Sequence, residues 1–287
     1  MQPTGRRLEI SLLETPGPIR WPATASLISN QRKPDGSVNF QIESDREAGF
    51  RFWGPEYGTS VLSRDGGTLL GAVGDGGKDE WQRFLIAQAL PFAAVLRGLE
   101  VLHASAVIVG GEAVALSGHS GSGKTSLALE LCRRGADFLT DDVLALERVG
   151  EELVGHPGPP VAGVDQAEAE RLDGVEPAGT PEVLAVNSRE RVTRATASAA
   201  PAPLRTLFFL DRRPDGPAQP RFEVAADAQM LLASTFNLVL TGAQRLERLL
   251  DACALLAGCR VERVSCASAV DVAALGDAVE GRIGALA

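Results

Sequence analysis

The sequence predicts an α/β protein with a β-rich N-terminal domain, a P-loop core and a mainly helical C-terminal tail. Short alternating apolar runs separated by Gly, Pro and Asp fill residues 7–75 and indicate strands. The pattern G-x-x-x-x-G-K-T spans Gly118–Thr125, between an apolar run and an amphipathic segment. Helical periodicity is most evident in residues 225–287. We therefore expect two domains, 1–97 with its connecting helix and 98–287.

The composition limits the classes of partner. The chain has 287 residues, of which 45% are hydrophobic and 23% charged, as in globular proteins, and its net charge is −9. Such acidity disfavours nucleic acid and anionic membranes as partners. No run approaches the ~20 apolar residues of a membrane span, and no apolar signal core follows Arg6-Arg7. The four cysteines lack C-x-x-C spacing, which favours free thiols in a reducing compartment. A cytoplasmic protein is predicted.

In the N-terminal domain the first helix has the clearest pattern. Before it, "SRDGGTLLG" contains the Asp-Gly pair typical of a hairpin. The helix is predicted over "KDEWQRFLIAQALPFAAVLRG", where Trp81, Phe84 and Leu85 form an apolar face. Pro91 is expected to kink or divide this helix because it has no N–H to donate.

The central elements surround the phosphate loop. "LEVLHASAVIV" and "EAVALSG" are predicted to be strands joined by a Gly110-Gly111 turn, and the second leads into the loop. A helix is expected over Ser126–Arg134, with Gly135 ending it at the C′ position. The following "ADFLT" predicts a buried strand that ends at Asp141 and Asp142, and "VLALERV" predicts the next strand.

The later part of the chain changes character. Residues 155–203 are rich in Pro, Gly and Ala, and we expect a long loop or lid with one short helix around Gln166–Leu172. The strands "LRTLFFLDR" and "RFEVA" follow. Helices are then predicted over Asp227–Leu240 and Ala243–Ala257, and after the strand "RVERVSC" a last helix from about Val270.

The phosphate loop predicts nucleotide binding. Its glycines allow backbone N–H groups to surround phosphate oxygens, Lys124 can reach the β- and γ-phosphates, and Thr125 offers a hydroxyl to Mg²⁺. His119 falls at a variable position of the loop and is expected to face solvent. The full set of candidate ATP-binding residues is Gly118, His119, Ser120, Gly121, Ser122, Gly123, Lys124, Thr125 and Ser126.

Two aspartates follow the loop closely. Asp141 and Asp142 come 17 and 18 residues after Lys124, so one short helix separates them from the loop. We expect their strand to lie beside the phosphate-loop strand, in parallel, so that both carboxylates reach the sheet edge where ligands bind. Neighbouring residues of an extended chain point to opposite sides. One carboxylate could accept a proton and the other hold Mg²⁺; a surface Asp-Asp turn is the alternative.

The stretch from Leu102 to Leu146, with "LHASAV", "SGSGKT", "SLALEL" and "FLTDD", resembles bacterial HPr kinase/phosphorylase and its relatives, including lasso peptide precursor kinases. The resemblance is close there and loose elsewhere, and it implies a fold of the HPr kinase/PEP carboxykinase-like type. It further implies that Asp141 is the catalytic base, that Asp142 supports Lys124 and Mg²⁺, and that His103 lies in or beside the active site. Ser105, on the same strand, is expected to be a structural neighbour.

The sequence also departs from that family. Ser-Glu usually follows the family's lysine, whereas this chain has Thr125-Ser126, and "AERLDG" is the nearest approach to the family's second signature. The N-terminal region looks more like that of the peptide and protein serine kinase relatives. Relatives are often multimeric, so the resemblance implies a possible homo-oligomer.

These observations predict an ATP-dependent kinase that phosphorylates a Ser or Thr hydroxyl on a small protein or peptide. A small-molecule hydroxyl kinase and a non-catalytic, nucleotide-gated binding protein stay open as alternatives. Arg189, Arg191 and Arg194 could bind phosphate or an acidic acceptor, although charged loop residues explain them as well. Arg245 and Arg248 are expected on a solvated helix face.

Overall fold

The computed structural model describes residues 8–13, 19–164, 183–186, 191–194, 200–225, 227–236 and 243–285. The chain divides into two compact units, and the change falls between Leu99 and Glu100. The short helix expected around Gln166–Leu172 lies outside the described residues.

The first unit is built on a six-stranded sheet with the order β1-β6-β5-β4-β3-β2. Consecutive strands from β2 to β6 pair antiparallel through short turns, and β1 joins β6 in parallel. The predicted Asp-Gly hairpin is the β5–β6 connection. The strands are β1 (Glu9–Leu12), β2 (Ser26–Arg32), β3 (Val38–Asp45), β4 (Gly49–Gly54), β5 (Gly58–Leu62) and β6 (Thr68–Ala72).

Helical segments complete the core of this unit. Helix α1 (Gly77–Phe84) continues through a π-helical turn, Leu85–Ala89, into α2 (Leu90–Leu96). The N–H of Leu90 therefore bonds to the carbonyl of Leu85, five residues back, just before Pro91. The helix is therefore divided near Pro91, as predicted, by a wider turn. Pro91 has no N–H to donate to the preceding turn. The core is aromatic, and the rings meet edge to face: Phe40 with Phe84, Phe50 with Phe92, and Phe52 with Phe84 and Phe92.

The second unit contains a nine-stranded sheet. The strand order is β10-β8-β9-β16-β12-β11-β7, and β18 pairs with β16 and with β17. Strands β9, β16 and β18 run parallel, whereas β8 lies antiparallel between β9 and β10. The strands are β7 (Glu100–Leu102), β8 (Ala104–Val109), β9 (Glu112–Gly118), β10 (Asp137–Thr140), β11 (Leu144–Val149), β12 (Glu152–His156), β16 (Ala202–Arg213), β17 (Arg221–Val224) and β18 (Arg260–Ala267).

The helices that the structure describes in this unit cover the two faces of its sheet. They are α3 (Lys124–Arg133), α4 (Ala228–Ala233), α5 (Ala243–Gly258) and α6 (Val272–Gly284). Strand residues alternate between the two faces. Thus Leu116 and Phe208 pack with α3 and α6, while Ala115 and Leu207 belong to the core that contains residues of α4 and α5.

Helix α3 ends as its sequence predicts. Gly135 has a left-handed φ of 106°, and its N–H donates to the carbonyl of Cys132. The N–H of Ala136 donates to the carbonyl of Leu131. This pair of bonds is the Schellman arrangement, which returns the chain towards β10 after only ten helical residues.

The position of β10 corrects one prediction. β10 is not adjacent to the phosphate-loop strand β9, because β8 is inserted between them and pairs with both. β8 directly precedes β9 in the chain and pairs with it antiparallel, so β8 occupies the position beside β9. Two antiparallel steps leave β9 and β10 pointing the same way. The carboxyl ends of both strands therefore still face one edge of the sheet.

The segment 155–203 contains more regular structure than predicted. Its described part includes β13 (Val161–Val164), β14 (Val183–Val186) and β15 (Arg191–Arg194), which form a three-stranded antiparallel sheet. The short valine-containing runs favour strands, but each is too short, among the surrounding Pro and Gly residues, to show a strand-like alternation in the sequence. The predicted helix over Asp227–Leu240 is also shorter, since α4 ends at Ala233.

Candidate active site

The phosphate loop connects the end of β9 with the start of α3 and depends on its glycines. Gly118 and Gly123 have φ values of 147° and 86°. A Cβ on Gly118 would lie 2.7 Å from the carbonyl oxygen of Leu210, and a Cβ on Gly123 would lie 2.8 Å from Nη1 of Arg212. A side chain is therefore disfavoured by backbone conformation at both positions, and at Gly118 also by the backbone of Leu210.

The groups that could receive an anion meet at the start of α3. Gly123 is its N-cap and no side chain caps the helix, so its first N–H groups are open to an anion. Lys124 is buried, and its Nζ lies 3.2 Å from the carbonyl oxygen of Gly118 and 3.4 Å from that of His119. Burial lowers the pKa of Lys124, whereas the charges of Asp142 and Asp141 act against that change. The loop residues thus fit a polyphosphate.

The remaining loop residues differ in exposure. His119 and Ser120 are exposed, and Nδ1 of His119 lies 2.8 Å from the carbonyl oxygen of Ser120. Ser122 is fully buried, and its Oγ has no hydrogen-bond partner among the described residues. Ser126 is partly exposed in the first turn of α3. His119 therefore faces solvent, as its variable loop position predicts.

Asp141 is the buried centre of the site. Its Oδ1 accepts hydrogen bonds from Ser105 Oγ at 2.6 Å and from Thr125 Oγ1 at 2.8 Å. Its Oδ2 accepts one from the N–H of Gly163 at 3.1 Å. Burial, the largest cause, and the charge of Asp142 raise the pKa of Asp141, these three hydrogen bonds oppose the rise, and the net pKa is about 6. The structure therefore brings a carboxylate with a pKa near neutrality to the phosphate loop.

Asp142 differs from its neighbour in exposure and backbone conformation. It is exposed, and its φ of 59° is left-handed rather than extended. The N–H of Val143 donates to the carbonyl of Asp141 at 2.7 Å, which makes a tight turn around Asp142. The Oγ1 of Thr140 secures this turn by donating to the carbonyl of Val143 at 2.7 Å. The two carboxylates thus differ in exposure because the chain turns at Asp142, and not because successive residues of a strand point to opposite sides.

His103 also departs from its predicted setting. The expected single strand is interrupted at His103, which lies between β7 and β8 and is exposed. Its N–H donates to the carbonyl of Ser234 at 2.7 Å, and its Nδ1 lies 3.0 Å from the carbonyl oxygen of Asp142. The interruption arises because β7 pairs with β11, whereas β8 pairs with β9 and β10. The ring is therefore beside the aspartate turn.

Three further residues join the site. Ser105 was expected to be a structural neighbour, but it is buried on the intervening strand β8 and donates directly to Asp141. Gly163 reaches Asp141 from β13 through its backbone, for which the sequence carries no local signal. Arg212 lies near the carboxyl end of β16, at the same sheet edge as the phosphate loop, and its position after "LFFLD" is the signal that could have identified it.

The predicted arginine contacts have different outcomes. Arg189 lies outside the described residues, and of Arg191 and Arg194 only their place in β15 is described. The expectation of a solvated face is wrong for Arg245, which is buried and pairs with Glu100 because this face of α5 packs inward. Arg248 is half-buried.

The donor set suits Mg²⁺ better than a softer metal. No group of three His, Cys, Asp or Glu side chains that could hold a metal ion occurs in the described part of the chain. All four cysteines are free thiols. Thr125 and Asp142 instead offer oxygen ligands beside the phosphate loop, which is how Mg²⁺ is bound when nucleotide phosphates supply further oxygens. These residues fit a phosphate-bound Mg²⁺.

Comparison with known proteins supports a relationship over this site. Residues 96–163 match the family described as HPr Serine kinase C-terminal domain. The HPr kinase/phosphorylase of Chlorobium limicola is 48% identical over 52 residues, which are 18% of this chain and 16% of that protein. The enzyme of Lachnoclostridium phytofermentans is 32% identical over 98 residues, which are 29% of this chain and 32% of that protein. The chain thus spans about a sixth to a third of these relatives.

A solved structure of the Hpr(Ser) kinase/phosphatase from Coxiella burnetii aligns with 54% of this chain and 93% of its own, at 16% identity and a TM-score of 0.27. At that TM-score the alignment adds nothing to the description of the fold. In the described part of the chain, no helix is both long and apolar enough to cross a membrane.

Proposed function

We propose that this chain is an ATP-dependent kinase that transfers the γ-phosphoryl group to a Ser or Thr hydroxyl of a small protein or peptide. One contact carries the proposal: Thr125 of the phosphate loop donates to Asp141, a buried carboxylate whose pKa is raised to about 6. A group with a pKa near the working pH is suited to accept a proton in the transition state. The family match of residues 96–163 supports the same chemistry.

The triphosphate would bind along Gly118–Thr125. The open N–H groups at the start of α3 and the Nζ of Lys124 would replace the water around its β- and γ-phosphates. Bound Mg²⁺ would neutralise the charge that develops on the transferring group. Thr125 and Asp142 would hold it, since the Asp142 carboxylate accepts no hydrogen bond from the described residues and its charge acts on Lys124.

Asp141 has room for one more proton donor. An ionised carboxylate offers about four acceptor sites. Oδ1 accepts from two hydroxyls and Oδ2 from one backbone N–H, so one site on Oδ2 stays open within the described structure. The acceptor hydroxyl would donate to this site, lose its proton to Asp141 as the oxygen attacks the γ-phosphorus, and leave ADP as the other product.

The names of the relatives make HPr the first acceptor to test, and precursor peptides encoded nearby are the second. Purified protein is incubated with Mg²⁺ and γ-labelled ATP, alone, with HPr, with a candidate peptide and with a cell extract. The proposal predicts label on a Ser or Thr hydroxyl, identified by mass spectrometry, and none with a Lys124→Met variant. ATP binding without any labelled product would favour the nucleotide-gated binding protein, and label on a metabolite alone would favour the small-molecule kinase.

A further inference from the structure

Arg212 lies at the sheet edge where the phosphate loop begins. Its strand, β16, pairs in parallel with β9, and Leu210 is the register partner of Gly118. Arg212 is two residues beyond Leu210, so it lies near the carboxyl end of β16, at the edge where open α/β sheets bind ligands. Neither the phosphate-loop motif nor the aspartate pair includes this residue.

The guanidinium of Arg212 touches the last glycine of the loop. Its Nη1 is the atom nearest to the position of a Cβ on Gly123, at 2.8 Å. Gly123 is the N-cap of α3, whose first N–H groups have no side-chain cap. An anion that binds those N–H groups is therefore within reach of Nη1.

The other nitrogens of Arg212 fix its orientation. Nη2 donates to the carbonyl of Ser268 at 2.9 Å and to that of Val270 at 2.5 Å, just before α6. The side chain also contacts the thiol of Cys266, which is neutral because burial raises the pKa of that cysteine. These partners hold the guanidinium in place but carry no negative charge. Nη1 is thus the nitrogen directed to the loop.

The positive charge of Arg212 is not balanced by a carboxylate. No described Asp or Glu forms a salt bridge with it, and its buried Nε has no hydrogen-bond partner in the described structure. The next residue, Arg213, is more exposed and pairs with Asp211 at 3.3 Å. Arg212 is half-buried, and the partial desolvation of a guanidinium without a counter-charge has a cost that a bound anion would compensate. A nucleotide phosphate at the loop would do so.

We propose that Arg212 is a phosphate-binding residue of this site, with Nη1 donating to an oxygen of the β- or γ-phosphate next to Gly123. This inference rests on the proposed binding of a nucleotide by the loop, and not on phosphoryl transfer. Arg212 then supplies a second cation at the phosphate loop, in addition to Lys124. The alternative is a purely structural role, in which Arg212 only ties β16 to the start of α6.

Binding of inorganic tripolyphosphate and of ATP, measured by calorimetry without any acceptor, tests the inference. Arg212→Met is expected to weaken both by a similar factor of about tenfold to a hundredfold, the range of a charge-assisted hydrogen bond. Arg213→Met is the matched control and should bind both ligands like the wild type. Unchanged tripolyphosphate affinity in a folded Arg212→Met variant would overturn the inference.

A second pair of variants covers the case in which Arg212→Met does not fold. Arg212→Gln keeps donors for the two carbonyls without the charge, and Arg212→Lys keeps the charge. The inference predicts tighter tripolyphosphate binding by the Lys variant than by the Gln variant, and equal or reversed affinities would refute it. If the wild type binds neither ligand, the proposed function fails as well; if it binds them but transfers no phosphate, only the kinase proposal fails.

Discussion

The hydroxyl of Thr125 donates a 2.8 Å hydrogen bond to Oδ1 of Asp141. This bond joins the first turn of α3 to the end of β10 across the intervening strand β8. Ser105 of β8 donates to the same oxygen, so the inserted strand takes part in the site rather than separating its two halves. The phosphate loop and the carboxylate therefore form one connected unit.

The Thr125–Asp141 contact predicts a selective effect of removing the hydroxyl. Thr125→Val keeps the shape of the side chain but loses both the metal ligand and the hydrogen bond to Asp141. We expect Mg-ATP binding to weaken by about tenfold or more, the cost of a lost ligand and bond to charged groups, with little change for metal-free ADP. Titration calorimetry with and without Mg²⁺ measures this. Thr125→Ser, which keeps the hydroxyl, should restore the dependence of nucleotide binding on Mg²⁺. An equal loss of Mg-ATP affinity in both variants would contradict the role of the Thr125 hydroxyl.

The raised pKa of Asp141 predicts a pH-dependent cost of folding. Its pKa rises from 3.8 to about 6 on folding, so the folded protein binds this proton more tightly than the unfolded chain. The stability associated with the proton is present below about pH 4 and lost as the pH rises through 6. Relative to Asp141→Asn, the metal-free wild type should lose on the order of 2 kcal/mol between about pH 4.5 and about pH 7.5.

Denaturant unfolding of both proteins at the two pH values gives this difference directly. Asp137→Asn, an exposed substitution on the same strand, controls for the loss of a carboxylate. If the stability of the wild type instead increases relative to that of Asp141→Asn as the pH rises, burial does not govern the pKa of Asp141.

The left-handed backbone of Asp142 predicts opposite effects of two substitutions. Asp142→Gly should raise the free energy of unfolding by about 0.5–1 kcal/mol, because glycine adopts a φ of 59° without strain. Asp142→Val should lower it by about 1–3 kcal/mol, because a β-branched residue is strained there. Urea titrations at one pH compare the two. Equal stabilities would mean that the turn is relaxed in solution. Both variants lack the proposed metal ligand and should lose Mg²⁺-dependent transfer.

The buried pair of Glu100 and Arg245 predicts a strong coupling in the second unit. Both side chains are at least nine-tenths buried and lie 2.5 Å apart, and Nε and Nη2 of Arg245 lack partners in the described structure. Arg245→Met should cost about 3–5 kcal/mol, because it leaves a buried carboxylate unpaired. Adding Glu100→Leu should recover most of that loss. A double-mutant cycle by denaturant unfolding measures the coupling, and strictly additive effects would contradict it.

An exposed ion pair provides the comparison for that cycle. Lys33 and Glu56 are in contact at 2.7 Å, but their side chains are 37% and 50% exposed. Lys33→Met should change the stability by less than about 1 kcal/mol.

The elements predicted well are those with local causes. The glycine spacing of the phosphate loop, the Gly135 stop of α3 and the Asp-Gly hairpin each depend on a few neighbouring residues, and all appear where the sequence predicts them. The strand that leads to Asp141 is predicted for the same reason. Pro91 predicts a disturbed helix, and the disturbance takes the form of a π-helical turn just before it.

The relationships that the sequence did not predict are long-range. The insertion of β8 between β9 and β10 depends on strand pairing, which no single segment encodes. The contacts of Asp141 with Gly163, and of Arg212 with the phosphate loop, join residues far apart in the chain. The turn at Asp142 combines a local contact, from Thr140 to Val143, with a long-range one between His103 and the carbonyl of Asp142. Roles that depend on such contacts follow from the tertiary structure and not from a local pattern.

The most direct measurement concerns Asp141 itself. Transfer of labelled phosphate to the acceptor and nucleotide affinity are determined side by side for the wild type and Asp141→Asn. A carboxylate that removes the acceptor's proton predicts a loss of transfer of about a hundredfold or more in the variant, with ATP affinity nearly unchanged. Transfer at the wild-type rate by Asp141→Asn would contradict that role.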